Sequence, residues 1–188
     1  MKIQYTISII LILLLLTACK PSTTVTSITN KPQLQFDIRW QDLRWFITKD
    51  NKIIADYDIF ADSYYTIVDE AFFTNTVLNQ FDNFLIKNNI NLAITNKNDC
   101  DKFARGFSFF SRVKSIQCAD IQYSMPVADF YYNLGFDKSH AINIAIVLDN
   151  ITNQKKLLFI EPQTKSIIDT TLGNDITNIL FLPKFIGM

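Results

Sequence analysis

The sequence predicts an α+β domain in which one helix packs on an antiparallel sheet. Three observations predict it. Phe103, Phe107 and Phe110 recur at i, i+4 and i+7, one face of a helix that begins near Cys100. His140 to Leu148 alternates, placing His140, Ile142, Ile144, Ile146 and Leu148 on one face of a strand. A polar turn from Asn150 to Lys156 then leads to a second apolar run, Leu157 to Ile160, and so short a connection makes the two strands antiparallel neighbours.

The chain opens with Lys2 and an almost wholly apolar run from Ile7 to Leu16, too short for a comfortable membrane span and ending in small residues. Residues 1–18 read as an export signal. Leu16-Thr17-Ala18-Cys19 resembles the lipobox of bacterial lipoproteins. That resemblance implies cleavage before Cys19, lipid on its sulfur and attachment to a membrane of the cell envelope. An uncleaved anchor and an ordinary secretory signal are the rival readings. Lys20 follows the cysteine in place of the aspartate associated with inner-membrane retention, which by the same resemblance favours the outer membrane of a Gram-negative cell. Residues 19–32 are rich in Ser, Thr, Pro and Asn and form a flexible stalk. Residues 33–188 then make one domain.

Within it, Leu34, Phe36 and Ile38 alternate as a first strand over Gln33 to Arg39. Trp40 and Trp45 either pack this piece onto the domain or line a ligand groove. Lys49 to Lys52 is a turn, followed by apolar patches at Ile53-Ile54 and Tyr57 to Ile59. Asp69 caps a helix that runs to about Lys87, with Glu70 in its first turn and Phe73, Val77, Phe81 and Phe84-Leu85 at helical spacing. Ile90 to Ile94 is a short strand leading to the cysteine turn. Ala119 to Tyr123 alternates as a strand, broken by Met125-Pro126. Phe130 to Tyr132 forms a groove wall or covers a sheet edge. Thr164 to Asp169 and Asn178 to Leu182 are the last strands, and Pro183 ends the second.

Composition narrows the function. Eighteen basic residues balance 18 acidic ones with no basic run, so nucleic acid is not the expected partner. Only 4 glycines are present, which leaves no phosphate-cradling loop. The 3 cysteines and 1 histidine form no cluster of metal-ligand spacing, so neither a metal nor a cofactor is expected.

Cys100 stands at the positive end of its helix, where a thiol pKa falls and the thiolate becomes a nucleophile. Asp99 or Asn98 can cap that helix, and Asp101 sits in its first turn. Their carboxylates oppose thiol activation, so a basic partner is required, and His140 is the one histidine. Antiparallel pairing brings Glu161 to Gln163 level with Ile142 to His140. Glu161, Gln163 and Asn143 are all candidates to orient the imidazole, because a one-residue slip exchanges the faces. In an exported protein, a Cys100–Cys118 disulfide competes with catalysis. A helix from Cys100 to about Lys114 spans about 20 Å, whereas a bridge needs Cα atoms within about 7 Å, which argues against the pairing.

Asp99-Cys100-Asp101-Lys102-Phe103-Ala104, His140-Ala141-Ile142-Asn143 and Phe159-Ile160-Glu161-Pro162-Gln163-Thr164 together resemble a papain-like cysteine-peptidase group. That group includes the C-terminal domain of a fungal agglutinin and related phage and bacterial proteins. Asp62-Ser63-Tyr64-Tyr65 and Val68-Asp69 are similar to its segment before the catalytic helix, so the resemblance covers roughly residues 60–170. It implies a papain-like or transglutaminase-like fold and a Cys–His–Glu triad carried by Cys100, His140 and Glu161. Lys102 departs from the acid usual in the group. NlpC-type peptidoglycan peptidases are a nearby comparison, but their Ser-Gly after the cysteine is missing here. The resulting expectation is a membrane-anchored cysteine hydrolase acting on a peptide or amide bond of a peptide or protein substrate, with acyl transfer as a variant. The alternative is a catalytically inactive surface lipoprotein that binds a protein or glycan partner, in which Trp40, Trp45 and Phe130 to Tyr132 matter more than Cys100.

Overall fold

The computed structural model describes residues 31–51, 53, 57–90, 99–133, 139–168 and 183–187. The expected signal, Cys19, the stalk up to residue 30, most of the Ile90–Ile94 strand and the Asn178–Leu182 strand lie outside the described residues. The described part is α+β, with helices beside two sheets.

The chain enters as β1 (Gln35–Arg39), which pairs antiparallel with β3 (Tyr64–Val68) in a sheet of its own. Between them lie α1 (Trp40–Trp45), a π-helical turn Phe46–Asp50 and β2 (Tyr57–Ile59). Asp69 then starts a long helical segment: α2 (Glu70–Phe72), a π-helical stretch Phe73–Leu78 and α3 (Asn79–Lys87). The cysteine helix is α4 (Cys100–Gln117). The main sheet follows with β4 (Val127–Asn133), β5 (Ser139–Leu148), β6 (Lys155–Glu161), β7 (Ser166–Ile167) and β8 (Pro183–Gly187). Its strand order is β2-β8-β4-β5-β6-β7, antiparallel except for the β2–β8 pair.

Strand β5 is central and buried on both faces, which divides the core in two. On one face Ile142, Ile144, Ile146 and Leu148 pack with Phe130, Phe159, Leu43, Ile47 and Tyr65. On the other, Ala145 and Val147 meet Val127, Leu158 and Ile160 and the phenylalanines of the helices. The small Ala141 and Ala145 on the second face let α4 approach closely. Phe107 is met edge-on by Phe81 at 5.1 Å and by Phe73 at 6.2 Å, the arrangement that the ring quadrupole favours.

Asp69 ties the chain entrance to this layer. It is buried, and its Oδ1 accepts the Phe72 N–H at 2.8 Å as a helix cap. Its Oδ2 accepts the N–H groups of Gln33 at 2.6 Å and Leu34 at 3.2 Å.

Four expectations change. Trp40 to Asp50 is helical, because Leu43, Phe46 and Ile47 turn to the core together. Phe130 to Tyr132 belongs to β4, an interior strand between β8 and β5, and neither a groove wall nor an edge cover. Ala119 to Tyr123 is no strand: Ile121 N–H closes a turn on the Cys118 carbonyl at 3.0 Å. Pro183 opens a strand instead of ending one, a first position where its missing N–H costs little.

Candidate functional site

Cys100 is the first residue of α4 and half-buried. Asp99 occupies the cap position, but its side chain caps nothing; it accepts from Lys102 Nζ at 3.2 Å. A hydrogen bond shared between the Asp99 and Asp101 carboxyls holds Asp99 below the usual carboxylate range and pushes Asp101 above it. Cys100 therefore sits between two acidic groups. Among the described residues it makes no hydrogen bond to any side chain. Cys118 lies just past the other end of the 18-residue helix, and no disulfide joins the two.

His140 pairs with Glu161, Nε2 to Oε2, at 2.7 Å. Tyr132 stands edge-on to the imidazole at 5.6 Å. Gln163 does not reach the ring. Its backbone N–H donates to Glu161 Oε1 at 3.3 Å, and its buried amide nitrogen has no hydrogen-bond partner among the described residues.

Asn143 serves a different purpose from the one its spacing suggests. It is fully buried on the opposite face of β5, where its amide nitrogen donates to the carbonyls of Ala104 at 2.9 Å and Ala128 at 3.2 Å and to Ser108 Oγ at 3.0 Å. It fastens α4 to the sheet and does not orient His140. The same alternation decides the relation of the predicted triad. Asn143 pairs with Ile160, so Glu161 shares a face with Ile142 and His140. That face looks away from α4, the helix that carries Cys100. The strand register unites His140 with Glu161, and no hydrogen bond joins Cys100 to them. Among the described residues, no group of three or more His, Cys, Asp or Glu is arranged to hold a metal.

A second feature lies at the other end of α4. A cavity of about 400 Å³ is lined by Asp62, Ser63 and Tyr64 before and in β3 and by Ser115, Ile116, Cys118 and Ile121 to Ser124. Tyr64 and Tyr123 stack at its wall with centroids 5.3 Å apart and rings inclined by 24°. Gln122 Nε2 donates to Tyr123 Oη at 3.1 Å. Thr66 clamps the floor: its N–H donates to the Ser124 carbonyl at 3.0 Å, and its Oγ1 accepts from the Tyr123 N–H at 3.0 Å. Ile116 projects at the rim, 84% exposed. Sequence reading missed this site. Tyr64 and Tyr123 are far apart in the chain, and Ala119 to Tyr123 resembled a strand. The aromatics singled out instead are mostly structural: Phe130 and Tyr132 are buried, and Trp40 packs on Phe60 at 5.9 Å. Trp45 is exposed, with Lys49 over its ring.

No family model and no curated protein matches the chain. Solved structures similar to it include PSL1a in complex with E64, at TM-score 0.59 and 10% identity, covering 81% of this chain and 51% of that one. The Polyporus squamosus lectin bound to the human-type influenza-binding epitope Neu5Acα2-6Galβ1-4GlcNAc is similar at TM-score 0.58 and 11% identity, covering 81% and 49%. This chain thus spans about half the length of each neighbour. At such identity the likeness is one of fold. The expectation of a cysteine peptidase or hydrolase is corrected here: the neighbouring fold is described in a glycan-bound lectin, and the structure leaves Cys100 unbonded to the His140–Glu161 pair. A peptide substrate loses its support with it.

Proposed function

We propose that this chain is a non-catalytic binding module of the cell envelope that holds a glycan in the Tyr64–Tyr123 cavity. The observation that carries the reading is the stacked tyrosine pair on the wall of a 400 Å³ cavity with Asp62, Ser63, Gln122 and Ser124 around it. A small-ligand site combines apolar surface with a few placed polar groups, in a volume of about 300–1,000 Å³. Aromatic faces suit the C–H face of a sugar ring, and hydroxyl and amide groups suit its hydroxyls. The lectin neighbour supports the glycan class over a protein partner.

On this reading the domain uses an inherited papain-like scaffold. His140 and Glu161 persist as a pair that fastens the ends of β5 and β6, and Cys100 has no chemical task. Lipid on Cys19 and the stalk of residues 19–32 hold the module at the exported face of the membrane, which is the outer membrane if the cell is Gram-negative.

The test is glycan binding by the full chain in detergent micelles, followed by calorimetry. Tyr64→Ala is expected to weaken binding by about tenfold or more, as loss of a central aromatic anchor does. Cys100→Ala and His140→Ala are expected to leave it unchanged. Wild-type affinity in Tyr64→Ala, or loss of binding in Cys100→Ala, contradicts the proposal.

A further inference from the structure

Resting on the glycan reading, we infer that the Tyr64–Tyr123 cavity selects its sugar by charge, preferring one with a free amine to a neutral one and rejecting one with a carboxylate. Asp62 is the only Asp, Glu, Lys, Arg or His among the residues that line it. The Asp62 carboxylate has no ion-pair partner among the described residues, whereas Asp99, Asp82 and Glu161 each have one. Arg112, whose charge acts on the buried Tyr65, does not line the cavity.

Three physical terms point the same way. An ammonium group gains attraction from the unpaired carboxylate, and a partly enclosed wall screens that attraction less than bulk water does. The faces of Tyr64 and Tyr123 are negative at the ring centre and attract a cation. A carboxylated sugar meets repulsion from Asp62 and finds no lysine or arginine to satisfy it, and an unpaired charge is costly to desolvate. The site is therefore unsuited to the sialylated epitope bound by the lectin neighbour, although the fold is similar.

The experiment compares three probes on the full chain in detergent micelles. Two are the glucosamine trisaccharide and its N-acetylated counterpart, which share a backbone and differ in charge; the third is Neu5Acα2-6Galβ1-4GlcNAc. Binding is measured by calorimetry at about pH 6, where a free amine is protonated. The expected result is at least tenfold tighter binding of the amine than of the N-acetyl sugar, with no measurable binding of the sialylated one. Asp62→Asn is expected to bring the amine and N-acetyl affinities within about twofold, with an unchanged melting temperature as the folding control, because the interaction removed is between charges. If the sialylated or N-acetyl probe binds as tightly as the amine, or if Asp62→Asn keeps the full preference, charge selection is overturned while the glycan reading stands. If no sugar binds the wild type, or if all bind Tyr64→Ala equally well, both fall.

Discussion

His140 and Asn143 lie on the same strand, the first expected as a base and the second as one candidate to orient it, yet they stand on opposite faces of β5 in different surroundings. Asn143 is 0% exposed; its amide nitrogen donates to one helix carbonyl, one strand carbonyl and a serine hydroxyl, and its Oδ1 has no hydrogen-bond partner among the described residues. His140 is partly open to solvent and spends one nitrogen on Glu161. The difference teaches that strand parity sorts polar residues into separate roles. Asn143, at an odd position, faces α4 and fastens it, whereas His140, at an even position near the start of the strand, faces away and keeps solvent contact.

Three perturbations break or sharpen that contrast. The largest effect is expected from Asn143→Ala. It removes a buried donor to two carbonyls and a hydroxyl and opens a gap under α4, so unfolding by urea should show a loss of about 3 kcal/mol. A loss below about 1 kcal/mol would mean that the amide is not the fastener. His140→Ala should cost about 1 kcal/mol or less, because its pair with Glu161 is partly exposed and screened. A loss equal to that of Asn143→Ala erases the distinction between the faces.

The smallest expected effect is one of slope. Asp129 accepts the Ser108 hydroxyl close to Asn143, and burial pushes its carboxyl above the usual value of 3.8. The folded chain therefore holds this proton more tightly than the unfolded one. The contribution favours the fold below the unfolded-state value and is lost as pH rises through the folded one. In Asp129→Asn that loss disappears. The melting temperature of the variant relative to wild type should rise as pH is taken upward from about 4. A parallel pair of curves would show that Asp129 titrates as it does in the unfolded chain.

Much of the scaffold was legible before any coordinates. The Phe103, Phe107 and Phe110 spacing located α4, Asp69 announced the helix it caps, and the alternation from His140 with its polar turn located β5 and β6. These signals are local, each carried by a period of side chains along one element. The parts that were not legible depend on distant chain. Phe130 to Tyr132 has no alternation, because β4 is buried on the Phe130 and Tyr132 side and carries Tyr131 on the other as acceptor for Arg105. Ala119 to Tyr123 has strand-like alternation but is held by Thr66 from β3 instead of a ladder. The match of Glu161 to His140 needed the cross-strand register to the residue. The cavity needed Tyr64 and Tyr123 to meet, which no spacing records.

The clamp at Asp69 has a mechanical consequence. A pull along the chain before Gln33 meets Asp69, whose carboxylate grips the entering segment through the N–H groups of Gln33 and Leu34 and the helix through Phe72, and whose own N–H holds the Leu34 carbonyl at 2.9 Å. Tension from that direction is passed into the helical layer through these bonds, ahead of the β1 ladder. Asp69 is thus a strain relief, like the collar where a cable enters its housing.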